Sequence, residues 1–532
     1  MKVLLKSGTI MDGSGEKGYV GDVLLEYGRI KKVSKTPLDA DCPTIDCTGK
    51  VIAPGFIDAH SHNDCCMHFK DDLPFTEPFI RQGITSYVAG QCGFSIAGVE
   101  KGSPYGNETN FFPTEKDGPQ YFHTYEEYFD YLRKSGMRQN MAMFAGHGIA
   151  LGSIVGAEPG GASSPDAKRR TAAILSEGLD AGCKGISFGI AYRPSLFIPD
   201  TEIREMAELA IKRNMVVTYH ARALGTSGIP WYGNEEPHNL RWTREFLDLF
   251  RGSNARLQIS HLLFVGETAW PTYEPMFELL QKNIDAGDID LMFDMFSYTQ
   301  GATSASMRLP QFFYDNLPQI YTDTSLWPQL EKEVRAFNEG RGIHPEDVLL
   351  CNPIDPEWDK YKGMSVAELS DKLGMGNGQF YMELYRRSGG TATLYMLVEQ
   401  DENKIPLQMQ HDKALYMTDA WVVPGSLQSA PAYGSLPKFL RLAREHKQQS
   451  MEMTIAKMTG RTADRFDLFG RGYLKDGYAA DVVVFDAATV RENATSREPE
   501  QFPTGIHHVF INGEHVLNEG TLDASIKAGK LL

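Results

Sequence analysis

The chain reads as an α/β protein: a TIM-like (β/α)8 barrel with a small β-sandwich formed from both termini and an insertion between barrel strands 7 and 8. Three observations predict this. Eight short apolar runs alternate with amphipathic helical patterns through the middle of the chain, the signature of parallel strands with crossover helices. Both ends share another style, short strands punctuated by turn residues. One connection, about 297 to 412, far exceeds a normal strand-to-helix loop.

The N-terminal strands are Val3-Leu-Leu5, Asp22-Val-Leu-Leu-Glu26 and Arg29-Ile-Lys-Lys-Val33, with turn signals at Asp12-Gly13 and Tyr27-Gly28. The C-terminal end repeats the pattern at 481–485, 508–511 and 515–517, and Asn512-Gly513 reads as a hairpin turn. We expect the two ends to pair. The barrel strands are expected at 55–60, 84–91, 140–146, 184–190, 215–220, 256–261, 289–296 and 413–419. Helical patterns at Tyr125–Leu132, Asp166–Leu179 and Thr201–Ala210, the last with Asp200 as N-cap, lie between them. Further helices are expected in the insertion at Ser365–Leu373 and Thr391–Val398. The domain reading is therefore 1–52 with 470–532 as the sandwich, 53–469 as the barrel, and about 300–410 as the inserted subdomain. A doubly wound open sheet is the rival fold, but no Gly-rich phosphate loop follows the first barrel strand.

Bulk properties exclude some functions. A net charge of −16 argues against a nucleic-acid partner, which needs a basic surface. No run approaches the roughly 18 apolar residues of a membrane span, and the apolar stretch after Met1 is too short for a secretory signal. Seven cysteines at irregular spacing suggest reduced thiols and a cytoplasmic address.

The chemistry lies at the strand ends. His60 and His62 are spaced i, i+2, which in a strand puts both rings on one face, able to grip one metal. Cys92, His220, His261 and Asp419 each close another apolar run. Thiolate, imidazole and carboxylate are zinc ligands, and six of them at one mouth suffice for two neighbouring ions. Such ions make water a nucleophile at neutral pH and polarise a carbonyl. Asp419 is the expected proton shuttle. Singly, each residue has a bland reading, as a core histidine, a buried small thiol or a loop cap; their joint placement carries the argument. His68 and most other histidines read as incidental, whereas His147, in Gly146-His147-Gly148, is a candidate for touching substrate.

Gly55-Phe-Ile-Asp-Ala-His-Ser-His62, Gly146-His147-Gly148, Thr218-Tyr-His-Ala-Arg222, Ile259-Ser-His261 and the tail Gly477–Phe485 resemble the amidohydrolase superfamily. More narrowly, the set is similar to the D-aminoacylase (N-acyl-D-amino-acid deacylase) family, from Ser7–Gly13 through Ala432-Tyr-Gly434 to Ile511–His515. The resemblance implies a deformed barrel with a β-sandwich, hydrolysing the amide bond of an N-acyl-D-amino acid. It also implies that Cys92 replaces the carboxylated lysine of other relatives; no Lys ends strand four. Cys92, His220 and His261 would then hold one tight Zn2+, and His60, His62 and Asp419 a second, weaker ion.

Departures from that family fall in the substrate pocket. Leu262-Leu263 follow His261 where a His and a carboxylate-holding Lys are usual, Ala223-Leu224 replace an acidic residue, and Asp294-Met-Phe-Ser-Tyr298 stands for Asp-x-Tyr-Pro-Tyr. Tyr192, Arg193, Arg222, Tyr298 and Arg308 are the alternative anchors for an anionic small-molecule substrate, since Arg holds carboxylate in a bidentate fork; each Arg alone also fits a structural ion pair. Two other readings stand beside the deacylase: a cyclic amide hydrolase resembling hydantoinases or dihydroorotases, and a non-catalytic barrel scaffold. The acyl group, the side chain and the oligomeric state stay open.

Overall fold

The structure is a computed structural model that describes residues 2–106, 121–156, 164–229 and 231–532. All eight expected middle strands form, with shorter ends. Phe56–Asp58, Ile84–Ala89 and Asn140–Met143 make a three-stranded parallel sheet. Ala145–Gly146, Gly185–Gly189, Val216–His220, Arg256–Ile259, Asp290–Met295 and Ala414–Tyr416 make a six-stranded parallel sheet in chain order. Only Phe144 separates the two sheets along the chain, and its N–H donates to Ala89 O at 2.9 Å. At the other edge Ala59 N donates to Tyr416 O at 3.1 Å. Strands such as Val216-Val-Thr-Tyr-His220 are buried along their whole length, as parallel strands covered on both faces must be.

Helices fill the connections. Tyr125–Ser135 starts with a capping box, in which Thr124 accepts from Glu127 N and Glu127 reaches back to Thr124 N. The helix expected over 201–210 runs Asp200–Ile211, so Asp200 is its first residue and Pro199 precedes it. The Asp200 carboxylate does not cap; it accepts from Arg222 and from Trp242 Nε1.

The two termini pair in one nine-stranded sheet, joined where Val51–Pro54 lies antiparallel to Val482–Phe485. Period-two alternation gives that sheet two apolar faces. Ile52, Val482 and Val484 join Val3, Leu5, Ile10, Val23 and Phe510 in one cluster; Val51, Ala53, Val483 and Phe485 point the other way, into the main core. Asn512 and Gly513 both adopt positive φ, +47° and +83°, between the paired residues Ile511 and Glu514, as a type I′ hairpin turn requires.

The long connection holds a second core around Phe313, Leu330, Trp358, Leu369 and Phe380. One expectation fails there. Thr391–Val398, read as a helix, contains the strand Thr393–Met396, central in a three-stranded antiparallel sheet between Gly301–Ser304 and Val348–Asn352. Leu394 and Met396 face one cluster and Tyr395 another, so the period is two, and pairing partners more than 40 residues away decide it.

Among the described residues no helix is long and apolar enough to cross a membrane, and none of the seven cysteines is in a disulfide. The C-terminal tail runs beside Asn140–Met143: Met141 N donates to Lys530 O and Leu532 N to Met141 O. Arg138 fastens this tail, donating through Nε to the fully buried Asp72 at 2.8 Å and through Nη1 to Ala524 O and Ile526 O. Lys527 Nζ also lies 3.3 Å from Asp72, so removing Arg138 leaves a fully buried carboxylate with one partly exposed cation in place of two. Arg138→Met should therefore cost about 3 kcal/mol, read as a lower urea midpoint, and adding Asp72→Asn should recover much of the loss. An unchanged midpoint would contradict this role for the pair.

Candidate metal centre

The chain delivers its ligand-type side chains from the C-terminal ends of the parallel strands. The first strand stops at Asp58, so His60 and His62 lie beyond it and their common face does not come from strand geometry. It comes from continued backbone pairing: Ser61 N donates to Val88 O, His62 N to Ala420 O, and Asp419 N to His60 O. Both imidazoles still reach one atom, since His60 Nε2 and His62 Nε2 lie 3.2 and 3.3 Å from Asp419 Oδ1.

Cys92 Sγ stands at the middle of the group, 3.4 Å from His60 Nε2, 3.3 Å from His261 Nε2 and 3.7 Å from His220 Nδ1. The two nitrogens of His220 and His261 are 2.8 Å apart. Donor atoms of His60, Cys92, His261 and Asp419 all fall within 4.8 Å of one another. Ligands around one tetrahedral zinc, at Zn–N of about 2.0–2.1 Å and Zn–S of about 2.3 Å, stand about 3.3–3.6 Å apart. The distances from Cys92 to His60 and His261 fall in that range, His220 lies just beyond it, and the His220–His261 nitrogens stand closer than a shared ion would leave them.

Electrostatics give an independent test of fit. Burial pushes the Cys92 thiol up, but the charges of His60 and His261 and hydrogen bonds from His220 and His261 hold it well below the ordinary thiol value. Burial likewise raises Asp419, and His60, His261 and His62 together drive it well below the usual carboxylate range. The histidines answer in kind. Burial lowers His62, yet hydrogen bonds with Asp419 and Cys92 lift it to about 9, and His60 and His261 rise for similar reasons. Only His220 falls, through burial and the neighbouring His261. The pocket thus holds an excess of negative charge that extra protons or a cation must balance, and a soft thiolate among imidazoles suits zinc.

Three of these residues pay conformational strain to be here. Cys92, His261 and Asp419 have φ of +53°, +35° and +50°, a region that side chains other than glycine enter rarely and at a cost.

Two buried aspartates support the group, and neither was assigned a role from sequence. Asp294 Oδ1 accepts from His261 N at 2.6 Å and lies 3.3 Å from His60 Nδ1, while Oδ2 accepts from Gln258 Nε2. Asp58 accepts from Thr418 N, Thr418 Oγ1 and His60 N, and burial pushes its carboxyl up to about 7. The available signal was an acidic residue inside an apolar strand, as in Phe56-Ile-Asp58 and Leu291-Met-Phe-Asp294, which is rare without a partner.

The expected substrate residues separate. Tyr192 OH is 3.3 Å from His220 Nδ1, and its ring packs on Phe94 and His220. Arg193 beside it lies over the rings of Phe197 and Tyr314, with no carboxylate at ion-pair distance among the described residues. Arg308 is buried, donating to Met307 O and Met396 Sδ. Arg222 is spent on Asp200 and on the carbonyls of Leu196 and Ile198. Tyr298 points to Ala494 O and lies under Lys438. His147 is buried against Phe188 and near Ser195 Oγ. His68, read from the sequence as incidental, is buried beside Phe69 and Phe122.

No protein-family model matches the chain. It is 27% identical to the D-aminoacylase of Alcaligenes xylosoxydans xylosoxydans, over 100% of this chain and 97% of that one. It is 28% identical to the N-acyl-D-glutamate deacylase of the same organism, over 96% and 93%. A solved D-aminoacylase with a binuclear metal centre, described as activated by one metal and attenuated by a second, superposes with a TM-score of 0.79, 26% identity and 99% coverage of both chains. Likeness that runs end to end in sequence and in fold makes the chain similar to the D-aminoacylases and N-acyl-D-amino-acid deacylases.

Proposed function

We propose that the protein is a zinc-dependent amidohydrolase that cleaves an N-acyl-D-amino acid to a carboxylate and the free amino acid. The observation that carries this reading is the meeting of Cys92, His220 and His261 within 3.7 Å, with Asp419 beside them. In the same reading the two parallel sheets close as a (β/α)8 barrel over 53–469, interrupted at about 300–410, and 1–52 with 470–532 form a β-sandwich domain. Support for closure comes from the Phe144–Ala89 and Ala59–Tyr416 hydrogen bonds.

Cys92, His220 and His261 would hold the tight zinc, and His60, His62 and Asp419 a second, weaker ion. Zinc, when bound, supplies Lewis acidity, polarising the substrate carbonyl and making water nucleophilic at neutral pH. Asp419 does the proton work. Its side chain is 20% exposed, whereas His60 is sealed, so it alone of that trio offers a carboxylate edge to the cleft. It takes the proton of the attacking water and passes it to the amide nitrogen as the C–N bond breaks. Asp294 is a positioning residue: it faces His60 Nδ1 and so directs Nε2 toward Cys92 and Asp419. Tyr192 borders the reacting carbonyl, and Arg193 pairs with the substrate's α-carboxylate.

Asp419→Asn should lower kcat by at least about 100-fold while the purified protein keeps its tight zinc; full turnover would remove Asp419 from the mechanism. Asp294→Asn should weaken metal affinity by about 10–100-fold, measured by competition with a chromogenic chelator, and an unchanged affinity would deny the positioning role. The reading as a whole is tested by turnover of N-acetyl and N-formyl amino acids of both hands, against hydantoins, with zinc supplied. Hydrolysis of D-derivatives is expected; hydrolysis of hydantoins alone would overturn it.

A further inference from the structure

Next to the metal centre lie three buried polar side chains that the hydrolytic chemistry does not use. Glu399 is 3% exposed, Arg308 5% and Gln300 1%. Among the described residues the Glu399 carboxylate makes no ion pair or side-chain hydrogen bond, and the Arg308 guanidinium meets no carboxylate within 4 Å. Both amide atoms of Gln300 are buried without a partner. Buried polar groups are normally satisfied; here, among the described residues, Gln300 has no partner, the Glu399 carboxylate has no side-chain partner, and the Arg308 guanidinium reaches only Met307 O and Met396 Sδ, which points to a guest.

Their position is set by three backbone segments that meet above His261. Phe264 N donates to Glu399 O at 3.2 Å, Glu399 N to Thr299 O at 2.9 Å, and Gly266 N to Val398 O at 2.9 Å. Gln400 Nε2 locks the same junction by donating to Phe296 O and Tyr298 O. Gly301 belongs to the fit, since a Cβ there would sit 2.7 Å from Glu399 Cδ. Burial pushes Glu399 up to about 8, with Arg308 and His261 pulling it down and Asp419 pushing it up; those are the charges it feels, and they run from the insertion to the ligand cluster. A further cation, Arg341, lies within the field of Arg308, but it is engaged with Ser227 Oγ and the Phe337 ring.

We propose that Arg308, Glu399 and Gln300 form the subsite for the substrate's side chain, and that this subsite selects a carboxamide, as in N-acyl derivatives of glutamine or asparagine. The proposal rests on the deacylase reading above. A carboxamide oxygen accepts from Arg308 while its NH2 donates to Glu399, and the match holds whether Glu399 is ionised or protonated, because a carboxylic acid keeps an acceptor oxygen. A carboxylate side chain is matched only by the protonated form and is repelled by the ionised one. An apolar side chain would leave Gln300 and Glu399 unpaired and give the Arg308 guanidinium no oxygen to bind, the costliest outcome.

The test is a kcat/KM ranking of N-acetyl-D-glutamine, -asparagine, -glutamate, -aspartate and -leucine by the zinc-loaded full chain at about pH 9, where Glu399 is ionised. The carboxamides are expected to lead the acidic substrates by at least about tenfold. Glu399→Gln replaces the anion with a donor, and should reverse that order by favouring glutamate. The wild-type ranking stands alone if the variant does not fold. Turnover led by acidic or apolar substrates in the wild type, or an order left unchanged by a folded Glu399→Gln, overturns the subsite. No turnover of any derivative overturns the deacylase reading and this inference with it.

Discussion

A buried thiolate and a partly exposed carboxylate among four imidazoles form the constraint on which the rest of the molecule depends. Cys92 and Asp419 are each held ionised against a strong cost of burial, and in a low-dielectric interior such charge cannot stand alone. His60 and His62 respond by taking up protons well above their ordinary range, and His261 shifts in the same direction. A divalent cation would balance the same charge with fewer, directional bonds. The arrangement is expensive as a purely structural core and economical as a metal site.

The fold bears that cost by over-determining the positions of the ligands. Asp58 ties the first parallel strand to Thr418 at the end of the last one, and Asp294 ties His261 to His60 across the site. These two carboxylates bring residues more than 200 positions apart in the chain into register. The left-handed backbone at Cys92, His261 and Asp419 is held by hydrogen bonds at or beside each residue: Phe94 N to Gln91 O, Leu262 N to Asp294 O and Asp419 N to His60 O. Strain of this kind collects where function demands a geometry that relaxed backbone does not supply.

Much of this was legible from the chain. Eight apolar runs predicted the parallel strands, the third of which divides into Asn140–Met143 and Ala145–Gly146, because buried parallel strands are apolar along their length, and the ligand-type residues that close five of the runs were visible as breaks in that pattern. The end of the first strand was less legible: an i, i+2 pair reads as strand, yet the Asp58 carboxylate turns the chain one residue later. The strand Thr393–Met396 was hidden because a short apolar run fits either period until its distant partners are known. The pocket was hardest to see. Arg222 and Arg308 look alike in sequence, but Asp200 occupies one, and no carboxylate among the described residues occupies the other. Glu399 carried no local signal at all, since its isolation arises from three segments that meet only in the fold.

The claim that most else depends on is that one sulfur and two imidazole nitrogens, from Cys92, His220 and His261, bind the tight metal. Zinc K-edge X-ray absorption on the protein loaded with one equivalent of zinc tests it most directly. The account predicts one sulfur at about 2.3 Å with nitrogen ligands at about 2.0–2.1 Å, the sulfur contribution disappearing in Cys92→Ala. A spectrum with nitrogen and oxygen ligands only would contradict it.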